Sequence, residues 1–133
     1  MSNLSVRADI FALERIMLEK PQVDVPVKHF FWNGMYFRAA FIAKGLEVTG
    51  AIHRQDNLNI MTCGEILVVT EEGANHFTGF NFIPSGVGSK RAAKVLEDTI
   101  WITILKTDLT DHEEIEKMLV TNDEAELLKI KGV

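Results

Sequence analysis

Short runs of apolar, aromatic and β-branched residues, separated by turn residues, fill the middle of the chain. Such runs, with no helical period between them, are typical of an antiparallel sandwich or barrel. In the last run, Ile100, Ile102 and Ile104 alternate with Trp101, Thr103 and Leu105, so the two sets face opposite sides of a sheet. The predicted strands are His29–Trp32, Met35–Ala43, Leu46–Thr49, Ala51–His53, Leu58–Thr62, Glu65–Thr70, His76–Thr78, Phe80–Ile83, Lys90–Val95 and Thr99–Thr107.

Turn residues punctuate these strands. Asn33-Gly34 is the strongest hairpin signal, because both residues tolerate the positive φ angles of a type I′ turn. We also expect a positive φ at Gly45, Gly64 and Gly86, where any side chain would strain the backbone. Further turns are predicted at Glu72-Gly73, Thr78-Gly79 and Pro84-Ser85-Gly86.

A helical period occurs at both ends of the chain. The spacing of apolar residues predicts a helix over 6–20, which Pro21 ends because proline cannot continue the helical hydrogen bonding. Thr110 with Glu113 has the pattern of a capping box and begins a helical tail over 110–130. The pattern therefore predicts a single domain over 1–133, mainly β, with a barrel over 28–107 between terminal helices.

Charge and composition exclude several classes of function. The net charge is −5 and no cluster of Lys and Arg is present, which argues against binding to nucleic acid. No apolar run has the ~20 residues of a membrane span, so no membrane partner is expected. The single cysteine, Cys63, cannot form an intramolecular disulfide and is expected to be a small buried residue at a strand end. These features predict a cytoplasmic protein of the producing or host cell.

The segment from Gly45 to Gly64 resembles the first motif of the cupin superfamily, which are small double-sheet jelly rolls. That motif is a glycine, five residues, His-x-His, three residues, a glutamate, six residues and a glycine. Here Ala51, His53 and Asn57 occupy the ligand positions between the two glycines. The second motif is Pro-x-Gly, two residues and a histidine; it matches Pro84 to Gly86, with Ser89 at the histidine position.

The resemblance implies a cupin jelly-roll barrel over residues 28–107. The sequence also resembles those of small single-domain cupins encoded by tailed phages. Metal-binding cupins use two histidines and a carboxylate from the first motif and a histidine from the second. This chain fills one of those four places, with His53, so the metal motif is degenerate and no cofactor is expected. His53 is a weak metal candidate that His76 or His29 could complete only by approaching it in the fold.

A cation at the second motif suggests a different ligand. Lys90 and Arg91 directly follow the empty histidine position and could hold a small anionic or polar ligand, since arginine presents a fixed fork of donors. The alternative is that both are solvated and pair with Glu97 or Asp98. The candidate ligand-binding residues are His53, Asn57, Asn59, Lys90, Arg91 and Trp101, although His53 and Trp101 also suit a barrel interior.

The first functional hypothesis is a non-catalytic binding module or phage-type accessory protein that forms a homodimer. The second is a metal-independent isomerase or epimerase with His53 as general base. The resemblance implies that such an enzyme pairs the histidine with a tyrosine or aspartate, and the only tyrosine is Tyr36. The third is a weakened metal-binding cupin. No nucleophile elbow or phosphate-binding loop is present, so the sequence favours binding over catalysis.

Overall fold

Antiparallel strands make up most of the structure. A computed structural model describes residue 12, residues 25–50 and residues 52–121. Within these ranges the elements are β1 (Val27–Trp32), β2 (Met35–Ile42), β3 (Glu47–Thr49), β4 (Ile52–His53), β5 (Asn57–Thr70), β6 (Gly73–Thr78), β7 (Asn81–Ser85), β8 (Ala92–Lys106), α1 (His112–Leu119) and β9 (Val120–Thr121). The predicted mainly β class is confirmed.

Two long strands, β5 and β8, organise the main sheet. They pair with each other at its centre, in the order β1-β2-β8-β5-β6. Each also has different partners along its two halves, because β3 pairs with the start of β8 and β7 with the start of β5. The separate strands β4 and β9 form a two-stranded sheet. This exchange of partners curves the sheet around an interior.

The length of β5 corrects a prediction. Leu58–Thr62 and Glu65–Thr70 are one strand, whose pairing with β8 shifts register around Cys63. Gly64 bends the strand without ending it: its φ is 107°, and an added Cβ would lie 2.6 Å from the carbonyl oxygen of Asp98 and closer still to Thr99. The second predicted pair, Lys90–Val95 and Thr99–Thr107, likewise merges into β8.

Several local predictions are confirmed and others are wrong. Asn33 and Gly34 have φ angles of 51° and 74°, as the predicted hairpin requires, and Gly45 has a φ of 89°. Gly86 does not have a positive φ, so that expectation was wrong. Cys63 is exposed because it lies at the irregular pairing in the middle of β5 and not at a buried strand end.

The ends of the chain are described in part. The predicted helix over 6–20 lies outside the described residues except for residue 12, which is helical. Helix α1 begins one residue later than the predicted capping box, because Asp111 caps it: its Oδ1 accepts a hydrogen bond from the Glu113 N–H at 2.8 Å. Strand β9 follows α1 directly, and the rest of the predicted tail lies outside the described ranges.

Two apolar clusters lie on the inner side of the sheet. The larger joins β2, β5 and β8 through Ala40, Ile42, Met61, Ile66, Val68 and Val95. The smaller packs Ile115 of α1 against Tyr36 and Leu105. No helix in the described part of the chain is both long and apolar enough to span a membrane.

Candidate functional site

A cavity of about 880 Å³ opens on the inner side of the sheet, between the two apolar clusters and beneath α1. The alternation of side chains along β2 and β8 determines which residues reach it. These strands and the segment before β8 contribute Tyr36, Arg38, Ala40, Ile42, Arg91, Ala93, Trp101, Thr103 and Leu105. Helix α1 adds Glu113, Glu116 and Lys117.

Arg91 is the most constrained cation of this lining. The Gly50 N–H donates to its carbonyl oxygen at 3.1 Å, which fixes the backbone, and its guanidinium lies 5.5 Å from the ring centroid of Trp101. Its Nη1 is buried and has no hydrogen-bond partner. Burial lowers the pKa of Arg91, and the nearby Glu71 carboxylate opposes that shift. The predicted pairing with Glu97 or Asp98 is wrong for Arg91, because Lys44 contacts both of those carboxylates.

His53 also lines the cavity and is uncharged at neutral pH. Its backbone pairs with Val120 in β9, and its carbonyl oxygen accepts from the Gly88 N–H at 2.9 Å. Burial, together with the smaller effects of the positive charges of Arg91 and Arg38, lowers the pKa of His53 to about 4. The ring Nδ1 is buried without a partner. His53 is therefore a neutral side chain in the electrostatic field of two guanidinium groups.

Arg38 was not among the predicted site residues, and Tyr36 was not assigned to the cavity from the sequence. Both lie on the inward face of β2, where alternation with Ala40 and Ile42 was the signal that could have found them. The Tyr36 hydroxyl lies 2.6 Å from Nδ1 of His29. Burial raises the pKa of Tyr36, with Arg38 lowering and Glu116 raising it by smaller amounts. The cavity lining thus includes the Arg38 cation and the Tyr36 hydroxyl, neither of which was among the predicted site residues.

Of the other predicted ligand-binding residues, Trp101 lines the cavity. Asn57, Asn59 and Lys90 are not part of its described lining. Asn59 is fully buried within the wall, where its Oδ1 accepts hydrogen bonds from Trp101 Nε1 at 3.0 Å and Thr103 Oγ1 at 2.9 Å. Asn57 accepts a hydrogen bond from Asn59. Lys90 is buried, and its Nζ donates to the Gly50 carbonyl at 2.7 Å, which corrects its predicted exposure.

The residues present do not fit a metal ion. Among the described residues no group of three or more His, Cys, Asp or Glu side chains could hold one. Of the histidines that could have completed a site, His76 lies 2.7 Å from Glu65 on the surface. His29 contacts Tyr36 and stacks on His112, with ring centroids 4.1 Å apart. The positive charges of Arg91 and Arg38 act on His53 and would also repel a cation there.

No family model matches the sequence. No curated protein matches it either. Similarity appears among solved structures. A cupin superfamily protein from Desulfitobacterium hafniense has a TM-score of 0.55 at 12% identity, covering 67% of this chain and 83% of the other. KdgF from Halomonas sp. has a TM-score of 0.53 at 15% identity, covering 65% of this chain and 86% of its own.

An RmlC-like cupin from Methanocaldococcus jannaschii, described as a double-stranded β-helix, has a TM-score of 0.54 at 9% identity. It covers 66% of this chain and 84% of its own. At such identities the similarity concerns the fold and not the activity. Together with the antiparallel sheet and its curved long strands, it shows that this chain has the cupin fold, a double-stranded β-helix.

Proposed function

We propose that this protein is a non-catalytic cupin-fold binding module that holds a small anionic ligand in the cavity. The observation that carries the proposal is the buried Nη1 of Arg91, which has no hydrogen-bond partner. A buried donor left without a partner costs about 1–3 kcal/mol, and more when it is charged. A bound oxyanion would accept that hydrogen bond and recover the cost.

The two guanidinium groups of the lining support an anion, in a cavity to which α1 also contributes Glu113, Glu116 and Lys117. Arg38 and Arg91 both act on His53, which places three nitrogen-bearing side chains within range of one another. In a partly dry cavity such charges attract an anion more strongly than they would in water. Arginine adds geometric specificity, because its planar fork matches the two oxygens of a carboxylate or phosphoryl group.

The state of His53 supports binding over catalysis. A general base works best with a pKa near the operating pH, whereas the pKa of His53 is about 4. Its Nδ1 also lacks the hydrogen-bond partner that orients a catalytic histidine. A metal-independent isomerase or epimerase is the second candidate, because Tyr36 and His53 line the same cavity.

Native mass spectrometry of protein purified from its natural host tests the binding proposal. We expect an anionic small molecule to remain on the wild type and on Lys94→Gln, a variant that removes an exposed cation of β8. Arg91→Gln and Arg38→Gln should lose it while keeping a cooperative thermal transition. Equal retention by both arginine variants would contradict the proposal.

The same sample separates the two candidates. The retained molecule is incubated in D₂O with wild type or with His53→Gln, and its carbon-bound hydrogens are followed by NMR. An isomerase or epimerase would exchange one carbon-bound hydrogen, and His53→Gln would stop the exchange. A binding module leaves the spectrum unchanged in both samples.

We further propose that the protein acts as a homodimer, in the manner of a phage-type accessory protein in the cytoplasm. The outer face of the sheet supports the dimer. Phe30 and Trp32 on one edge strand are each 60% exposed, and Phe82 on the opposite edge is 64% exposed. Exposed apolar patches of this kind mark interaction surfaces. The accessory role is proposed from the resemblance of the sequence to small phage-encoded cupins.

A further inference from the structure

The polar side chains of the wall behind the arginines are hydrogen-bonded to one another. Trp101 and Thr103 line the cavity, but the donors of both side chains are used on the buried Asn59. Asn59 in turn donates to the Ile83 carbonyl at 3.1 Å and to Ser85 Oγ at 3.0 Å. This wall therefore offers a ligand an aromatic surface and few hydrogen bonds.

One region of the lining beside the arginines is aliphatic, apart from the polar side chains that β2 and α1 contribute elsewhere in the cavity. Its side chains come from β2, β3, β5 and β8 and carry no polar atoms: Ala40, Ile42, Val48, Ile66, Val68 and Ala93. Burying apolar ligand surface against them is favourable by about 25 cal/mol per Å². A ligand hydroxyl placed there would lose its hydrogen bonds to water and find no replacement.

The strand register separates the charged and the apolar parts of the cavity. Arg38 lies opposite Thr103, and the next inward pair on the same two strands is Ala40 opposite Trp101. The cation therefore stands at the edge of the aliphatic region, one inward position away from it. Arg91 reaches the same boundary, with its guanidinium beside Trp101.

From this arrangement, and resting on the proposed function, we propose that the ligand is amphiphilic: one oxyanion, carboxylate or phosphoryl, joined to an apolar body. Arg38 and Arg91 hold the oxyanion, and the aliphatic wall with Trp101 surrounds the body. Hydroxyl-rich anions such as sugar acids are disfavoured, since hydroxyls placed against the aliphatic wall would stay unpaired. The cavity volume of about 880 Å³ leaves space for a body well beyond the charged group.

Isothermal titration of the full-length protein with five probes tests this assignment. Hexanoate and hexyl phosphate carry both parts, acetate carries the charge alone, 1-hexanol the apolar body alone, and glucuronate a charge on a hydroxylated body. We expect hexanoate or hexyl phosphate to bind about tenfold or more tightly than the other three. The stronger of these two identifies the oxyanion as carboxylate or phosphoryl.

A variant pair assigns the charge. Arg38→Gln should weaken binding of the preferred probe about tenfold or more, the range for a charge-assisted hydrogen bond. Lys94→Gln, which removes an exposed cation of β8, should bind as the wild type does. If Arg38→Gln does not fold, the order of the five probes on the wild type decides the matter alone.

The outcomes distinguish this inference from the proposed function. Glucuronate or acetate binding as tightly as hexanoate overturns the amphiphilic ligand and leaves the anion site standing. Binding of 1-hexanol as tight as that of hexanoate overturns the anion site itself. The absence of binding by all five probes at millimolar concentration overturns both.

Discussion

The indole Nε1 of Trp101 donates a hydrogen bond to Asn59 Oδ1 at 3.0 Å, which ties the cavity surface to a side chain that is fully buried. Thr103 donates to the same oxygen. Replacing Asn59 with alanine leaves both donors unpaired in the wall, so Asn59→Ala should lower the free energy of unfolding by about 2–4 kcal/mol. Urea denaturation followed by tryptophan fluorescence measures the loss.

Asn75→Ala is the matched control, because Asn75 is exposed on β6. Its free energy of unfolding should change by no more than about 0.5 kcal/mol. Equal stabilities for the two alanine variants would show that the Asn59 network contributes nothing.

The buried, neutral His53 predicts a loss of stability in acid. Its pKa is about 4 in the folded protein, compared with an ordinary value of 6.5. The unfolded chain therefore binds more protons between those values, and the folded state loses stability as the pH falls through that window. Between pH 7.5 and 5.5 the His53 contribution should fall by about 1.4 kcal/mol. It should stay constant above about pH 7.5.

The measurement is urea denaturation of wild type and His53→Gln across this range. The difference between the two proteins isolates His53 from other titrating groups. A pH-independent difference between wild type and His53→Gln would contradict the lowered pKa.

Alanine substitutions at Gly64 and Gly45 distinguish the stability cost of a steric clash from that of backbone strain. Both have positive φ angles, of 107° and 89°, but an added Cβ meets Thr99 and Asp98 at Gly64 and open space at Gly45. Gly45→Ala should therefore cost about 1 kcal/mol of stability, and Gly64→Ala should cost about 3 kcal/mol or more. Thermal melting compares the two. Similar costs would mean that the bend in β5 can relax around a side chain.

We expect the outer face of the sheet to form a dimer interface that an introduced charge disrupts. By strand register, Phe30 and Phe82 lie on the same outer side of the sheet, with Phe37, Ile60 and isoleucines of β8 between them. The exposed aromatic surface on this face is on the order of 400 Å², contributed by the rings of Phe30, Trp32, Phe82 and the neighbouring Phe80. That is about half of the ~800 Å² that each partner buries in a standard interface.

Light scattering coupled to size exclusion should show a dimer for the wild type and a monomer for Phe82→Lys. Asn75→Lys adds the same charge on exposed β6 and should remain dimeric. A monomeric wild type, or a dimeric Phe82→Lys, would remove this face from any dimer interface.

The lining predicts no stoichiometric metal. Elemental analysis of protein purified without chelator should give well under about one equivalent of nickel, iron, manganese or zinc per chain, because His53 has no companion ligands among the described residues. A full equivalent that is lost in His53→Ala would sink this prediction.

The sequence determined the local features by itself. The hairpin at Asn33-Gly34 and the two faces of the strand around Trp101 follow from φ preferences and from the alternation of side chains, which act over a few residues. The same alternation placed Arg38 inward, although its charge concealed the signal. The glycine spacing from Gly45 to Gly64 predicted the cupin fold through resemblance, which the solved structures support.

Only the tertiary structure decided the site. Lys90 is buried because its Nζ reaches the carbonyl of Gly50, forty residues earlier in the chain, and Asn59 is used within the wall by Trp101. Arg91 differs from its neighbour because its Nη1 has no partner among the described residues. Each outcome depends on groups distant in sequence that the curved sheet brings together. The sequence supplied Lys90 and Arg91 as candidate cations. The fold placed Arg91 at the cavity, left Lys90 outside its lining and added Arg38.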